Sequence, residues 1–217
     1  YIRSCVAAFT NNEADLYNTH VYKFGYNAPN SDFIAWEKAN IAECGGKTHF
    51  VGEFGFPGYD GSRQYGIDTY MRGVQLARVV LNFLNAGASG VSYWNLLDQY
   101  YNRHGSYGEM QQLGLWKYLK SAYISEPNVY KKIQTDYEVR PQYYAYSLLT
   151  RFIRQGDTVY PLSLGDEHIA GSAFLNREGK WTYVLVNATD KDMYVSLEND
   201  KSGADGTYDI YKYMEGR

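Results

Sequence analysis

The 217-residue chain is poor in the features that mark a specialised partner. Lys and Arg never gather into a basic block and the formal net charge is -3, which argues against nucleic acid and anionic membranes as partners. No apolar run approaches the roughly 20 residues needed to span a bilayer, so no membrane span is expected. The four histidines, His20, His49, His104 and His168, lie far apart without ligand spacing, so no metal site is expected. No glycine loop stands in the setting that binds phosphate, and no cofactor is expected. There is no internal repeat and no low-complexity tract. Cysteine is scarce: Cys5 and Cys44 speak for neither redox compartment, and their pairing is left open by the sequence. Tyr1-Ile2-Arg3-Ser4-Cys5 carries neither an initiator Met nor a signal peptide and reads as a cut end, as does Met214-Glu215-Gly216-Arg217.

What the chain has in excess is aromatic surface. Aromatic residues make up 17% of it and 24 are Tyr, within a composition that is 45% hydrophobic and 21% charged. That balance supports a packed core. A tyrosine has a flat apolar face and a polar tip, which suits half-wet surfaces. Sugars offer C–H faces and hydroxyl edges, so Tyr and Trp are natural linings for a carbohydrate cleft; sheets and interfaces absorb most of the remainder.

Two grammars divide the chain. In residues 1–155 strands alternate with helices. Tyr1–Phe9 and Asp15–Phe24 read as strands, the latter with Asn18, His20, Tyr22 and Phe24 on one face. A helix capped by Ser31 or Asp32 runs to Cys44, with Phe33, Trp36, Asn40, Ile41 and Cys44 at helical spacing, and Gly45-Gly46 ends it. After a strand over residues 49–56 comes the longest helix, Tyr65 to Ala86, whose broad apolar stripe implies heavy burial. Gly90–Leu97 is another apolar strand, Tyr100–Gly114 a polar, aromatic loop, and Pro141 opens a helix to Arg154. Buried strands alternating with helices predict parallel βαβ units, whose functional residues sit at strand C-terminal ends. In residues 156–217 the pattern is all β. Strands are expected at Thr158–Leu162, Ile169–Asn176, Trp181–Asn187, Met193–Glu198 and Thr207–Tyr213, with a hairpin turn at Asn176-Arg177-Glu178-Gly179.

His49-Phe50-Val51-Gly52-Glu53-Phe54-Gly55-Phe56 delivers a single carboxylate between two glycines. On a regular strand Val51 and Glu53 share one face, and Phe50, Gly52, Phe54 and Phe56 the other. An acid in so apolar a run is costly to bury unless paired or used. Glu53 is thus either a functional carboxylate or half of an ion pair, with Arg63 and Arg72 the candidate partners. His20 reads either as functional or as a satisfied buried histidine, and Trp94 as a platform or as core.

Three successive strands therefore present His20-Val21-Tyr22, then Gly52-Glu53-Phe54-Gly55, then Ser92-Tyr93-Trp94-Asn95. This order resembles the sixth, seventh and eighth strands of clan A retaining glycoside hydrolases, and among them the cellulase-like family 5. Arg140-Pro141-Gln142-Tyr143-Tyr144-Ala145-Tyr146 and the residues after it look like the final barrel helix leading into a β-sandwich side domain, as in families 30 and 39. The resemblance implies an α/β architecture: the C-terminal part of a (β/α)8 TIM barrel in residues 1–155, followed by a small, incomplete all-β sandwich-type domain in residues 156–217. It implies a glycoside hydrolase that cleaves β-glycosidic bonds with retention through Glu53 as nucleophile. Tyr22 would hydrogen-bond Glu53, His20 would contact substrate or orient neighbours, and Trp94 would lie under the sugar. Asn95, Asp98 and Tyr100 are the further substrate-binding candidates.

The chain departs from that pattern most seriously in its acid/base residue, and the Arg and His of the earlier strands are absent too. The acid/base Glu follows an Asn at the end of the fourth strand, and the sole Asn-Glu here, Asn12-Glu13, lies in a polar loop. A complete barrel takes about 250 residues. The expectation is therefore a partner in the missing N-terminal half of the barrel, an oligo- or polysaccharide substrate, no activity from this chain alone, and, by the resemblance, a secreted or periplasmic setting. The competing readings are a non-catalytic carbohydrate-binding protein on a decayed barrel and a (β/α) enzyme unrelated to sugars.

Overall fold

The computed structural model describes residues 2–8, 13–25, 27–101, 109–119, 137–197 and 207–216. The chain begins with a helix, α1 (Ile2–Ala8), where a strand was expected. Ile2 and Val6 fall one helical turn apart. Ile2 is buried, and Val6 lies over Gly45, where an added Cβ would stand 3.1 Å from its methyl carbon.

Three strands, β1 (Leu16–Val21), β2 (Thr48–Phe54) and β5 (Val91–Tyr93), form a parallel sheet in the order β1-β2-β5. Helices α2 (Asn30–Glu43) and α3 (Tyr70–Ala86) make the crossovers. This is the parallel βαβ arrangement the alternation predicted. Helix α2 starts with Pro29 at its cap and no side-chain cap bond, so neither Ser31 nor Asp32 caps it. The free N–H of Ser31 instead donates to the Glu167 carboxylate, 2.8 Å away on a distant segment. A carboxylate at a helix N-terminus also meets the positive end of the helix dipole. Helix α3 starts at Tyr70 rather than Tyr65, because the Thr69 hydroxyl accepts the Arg72 N–H. It ends at Gly87, whose φ of 109° only glycine adopts readily. Its apolar side carries Leu76, Val79, Leu81 and Phe83, all buried in the core with Val51, Phe54 and Phe33.

Short hairpins leave the C-terminal ends of β2 and β5. One is β3 (Tyr59–Asp60) with β4 (Arg63–Gln64); the other is β6 (Gln99–Tyr101) with β7 (Glu109–Gln111). Gln112 stitches them together, its carbonyl taking the Gln64 N–H at 3.1 Å and its own N–H meeting the Ser62 carbonyl at 2.8 Å. Of the expected Tyr100–Gly114 loop, residues 100–101 and 109–111 belong to this hairpin, and residues 102–108 lie outside the described residues. A third hairpin joins β8 (Trp116–Tyr118) and β9 (Tyr137–Val139).

Helix α4 (Pro141–Phe152) leads into an antiparallel sheet of β10 (Thr158–Leu162), β11 (Ile169–Leu175) and β12 (Trp181–Asn187). The β11–β12 turn is closed by Asn176, whose Oδ1 accepts the Glu178 and Lys180 N–H groups at 2.9 and 2.8 Å. The two further strands expected after it are not formed. Residues 193–197 and 207–213 pair with no strand, and Glu198 lies outside the described residues. Alternating apolar residues make a strand only where a ladder partner exists. The second segment is held by its side chains instead. The Tyr213 ring stacks on Tyr70 at 4.8 Å and its hydroxyl donates to the Tyr70 carbonyl at 3.0 Å, and burial pushes that hydroxyl's pKa up.

A buried polar hub joins the two sheets. Asn30 Nδ2 donates to the Ile169 carbonyl at 2.8 Å, and its Oδ1 accepts from Arg78 Nη1 at 2.7 Å and Asn82 Nδ2 at 2.8 Å. Arg78 also reaches the Ala28 and Glu167 carbonyls at 2.7 and 3.0 Å. Burial lowers its pKa to about 10, against the pull of Glu167 and Asp166.

Candidate functional site

Glu53 stands near the C-terminal end of β2, and a bulge decides which way it faces. Asn18 is level with Phe50 and Thr19 with Val51, but His20 is level with Glu53 and Val21 with Phe54. Gly52 is the extra residue. One inserted residue flips everything after it to the opposite face. Glu53 therefore shares the face of Phe50, Asn18 and His20, while Val51 and Phe54 are both buried in the core. The expected pairing of Val51 with Glu53 on one face is thereby corrected. Glycine is required at the bulge by space, since a Cβ there would sit 2.9 Å from Asn18 Oδ1 and 3.4 Å from His20 Cδ2. Gly55 likewise makes room for the Tyr22 ring, 2.9 Å from where its Cβ would be.

The bulge brings three of the expected site residues together. Tyr22 Oη donates to Glu53 Oε2 at 2.6 Å, and His20 Nδ1 lies 3.2 Å from the same oxygen. Glu53 Oε1 has no hydrogen-bond partner among the described residues. The carboxylate is a quarter exposed and His20 half exposed, so His20 is not a buried core histidine. The alternative ion pairs with Arg63 or Arg72 do not form. Arg63 pairs with Asp68. Arg72 is buried, bonds Gln64 and the Tyr65 carbonyl, and lies 4.2 Å from the centroid of the Phe56 ring.

Trp94 continues the line of β5, its N–H bonded to the Phe54 carbonyl at 2.9 Å. It is partly exposed, and its peptide bond to Asn95 is cis. Its carbonyl lies 3.5 Å from a Cβ placed on Gly55, so it adjoins the Glu53 strand. Asn95 is 7% exposed, and neither polar atom of its side chain has a partner among the described residues. Tyr100 lies in β6, with its backbone level with Met110.

Asp98 is not a cleft residue. Its side chain is fully buried against Arg140. One oxygen takes the Leu113 and Gly114 N–H groups, both at 3.0 Å, and Arg140 Nη1 at 2.7 Å; the other takes the Tyr118 N–H at 3.0 Å and Arg140 Nη2 at 2.9 Å. The carboxylate expected to bind substrate after Trp94 instead anchors the β7–β8 strap. Gly114 permits the close approach, since a Cβ there would stand 2.2 Å from the Leu97 carbonyl carbon.

Arg140 extends the network to Asp68, 2.6 Å from its Nε. Burial alone would raise the Asp68 carboxyl, but the Arg140 hydrogen bond and charge, with Arg63 and Lys117, overcome it and hold the group below the usual carboxylate range. A depressed folded-state pKa contributes stability that is present above the unfolded value and lost as pH falls through the folded one. On acidification, wild type should lose stability more steeply than Asp68→Asn. Urea midpoints taken at stepwise lower pH test this, and parallel curves would refute it.

A second buried cluster was not among the expectations. Glu37 and His49 are both fully buried, His49 Nδ1 lying 2.6 Å from Glu37 Oε1 and His49 Nε2 2.9 Å from Thr19 Oγ1. The trio ties α2, β2 and β1 together behind the bulge. The available signal was His49 at the head of an apolar strand, which implied a buried partner. Cys44 is free and buried, its thiol donating to the Asn40 carbonyl at 3.2 Å. Burial first, then Glu37 and Glu43, push that thiol's pKa up. No group of three metal-ligating side chains comes together among the described residues.

The described residues thus form an α/β protein with a hydrogen-bonded carboxylate at the C-terminal end of a parallel strand. No family model and no curated protein matches the sequence. SrfJ from Salmonella typhimurium has a similar fold, with a TM-score of 0.53 and 15% identity over 78% of this chain and 33% of that one. A GH39 β-xylosidase from Caulobacter crescentus overlaps more loosely, with a TM-score of 0.46 and 16% identity over 79% of this chain and 34% of that one. The chain spans about a third of the length of each.

Proposed function

We propose that this chain is the C-terminal part of a (β/α)8 barrel, residues 1–155, carrying a β side domain in residues 156–217. In the complete barrel Glu53 serves as the nucleophile of a retaining glycoside hydrolase acting on β-linked oligo- or polysaccharide. The observation that carries the reading is the division of labour on the Glu53 carboxylate. Oε2 is fixed by Tyr22 and His20, while Oε1 is left open. A nucleophilic carboxylate needs that arrangement: one oxygen aimed by hydrogen bonds, the other free to meet an anomeric carbon. Its place at the C-terminal end of a parallel strand is where barrel enzymes carry their chemistry.

In the retaining reaction Glu53 Oε1 attacks the anomeric carbon. A carboxylic acid roughly 5–5.5 Å from Glu53 protonates the departing glycosidic oxygen. Water then releases the sugar from the glycosyl ester, and the same acid now takes the proton. That second carboxylate would come from the earlier barrel strands. Trp94, on the strand beside that of Glu53, offers an indole face to the sugar C–H groups, and the Asn95 amide, without a partner among the described residues, offers a donor and an acceptor.

A mechanism-based 2-fluoroglycoside offered to the intact barrel protein should form a stable ester at Glu53, read by peptide mass spectrometry. Labelling elsewhere, or none with any common β-glycoside, would favour a carbohydrate-binding protein on a barrel without chemistry.

A further inference from the structure

Away from Glu53, a cavity of about 490 Å³ opens where the β1–α2 connection, α3 and the loops flanking β11 and β12 meet. Asn27, Gln75, Asp166, His168, Thr189 and Lys191 line it, together with Met193. Its floor has an unmet need. Gln75 is 3% exposed. Its Oε1 accepts from Arg78 Nε at 2.8 Å, and its Nε2 donates to Asn27 Oδ1 at 3.3 Å. The second N–H of that amide has no acceptor among the described residues. A buried donor left unpaired costs about 1–3 kcal/mol, so this one points to a guest or to solvent in the cavity.

The rim is similarly uncommitted. The His168 ring and the Lys191 ammonium make no hydrogen bond or ion pair among the described residues. Among the described residues the Asp166 carboxylate takes a single bond, from the His168 N–H at 2.7 Å. The cavity therefore offers donors from Gln75, His168 and Lys191 and acceptors from Asp166 and Asp190, beside a small apolar surface from Ala188 and Met193. Asp166, Asp190 and Lys191 leave no excess of positive charge, which disfavours an anion. The volume falls within the roughly 300–1,000 Å³ of small-molecule sites, which favour junctions between structural units. Many hydroxyls alternating with C–H groups, on a neutral molecule, match that lining.

We propose that this cavity is a second, non-catalytic binding site for a neutral carbohydrate of one or two pyranose rings. The site stands independently of any role for Glu53. It is tested on the 217-residue chain, labelled with ¹⁵N and titrated by NMR with cellobiose and with xylobiose. At least one sugar should give saturable shifts at the Gln75 side-chain amide and at the Ala188 and Thr189 backbone. His168→Ala combined with Lys191→Ala removes side chains that bond nothing among the described residues, and should weaken binding roughly tenfold. Glu53→Gln should leave it unchanged. Shifts confined to residues around Glu53 and Trp94, an unaltered affinity in the double variant, or no saturation with either sugar would each overturn the proposal. Glu53→Gln is silent here and decisive for catalysis, so the two readings fail separately.

Discussion

Glu53→Gln in the intact barrel protein is expected to lower turnover of a β-glycoside by at least ~10³-fold, the scale of losing a covalent catalyst. Folding stability should stay within about 0.5 kcal/mol of wild type, the usual range for a partly exposed position. The amide keeps one acceptor for the Tyr22 hydroxyl and the shape of the side chain, but it cannot attack an anomeric carbon. Steady-state kinetics and a urea titration on the same preparation check both halves. Near-normal turnover would remove Glu53 from the chemistry. A large loss of stability would show that the His20–Glu53–Tyr22 contacts hold the sheet rather than a substrate.

The second large effect concerns Arg140. Its guanidinium is buried between two carboxylates, and the Asp98 and Asp68 hydrogen bonds and charges raise its pKa against the opposing pull of burial. Arg140→Met should destabilise the fold by roughly 3–5 kcal/mol, because Asp98 is left as a buried charge without a counterion. Adding Asp98→Asn removes that charge while keeping an acceptor for the strap, and should recover part of the loss. Chemical denaturation of the single and double variants measures the difference. A single variant within 1 kcal/mol of wild type, as for an exposed pair, would show that the network contributes no more than a surface ion pair.

These two sites differ in how far the residues announced them. Alternation of apolar strands with amphipathic helices was enough to place β1, β2, β5, α2, α3 and α4 and to make the central sheet parallel. Glu53, His20 and Tyr22 were legible because few polar residues occur in such strands, and each unexplained one implies a partner. What a strict two-residue period does not encode is the bulge at Gly52. A strict alternation therefore puts Glu53 on the wrong face of its strand, while the grouping of Glu53 with Tyr22 and His20 is the one the structure brings together. Asp98 was a substrate-binding expectation for a different reason: a loop carboxylate looks free to bind until its cation is known, and Arg140 is far away in sequence. Helix α1 was missed because seven residues carry too little periodicity to separate helix from strand. The segments around Val195 and Ile210 have strand-like alternation, yet pairing depends on a neighbour that local composition does not report.

The hub at Asn30 has a consequence for how this polypeptide can be divided. Ser31, Asn30 and Arg78 all find acceptors on the stretch from Asp166 to Ile169. Cutting the chain after α4 would strip the first turn of α2 of its counter-charge and take the Glu167 carbonyl from Arg78, whose bonds to Gln75, Asn30 and Ala28 would remain. The antiparallel sheet is bonded to and packed against the helices that flank the Glu53 strand, so the two parts are expected to express and refold best as one piece.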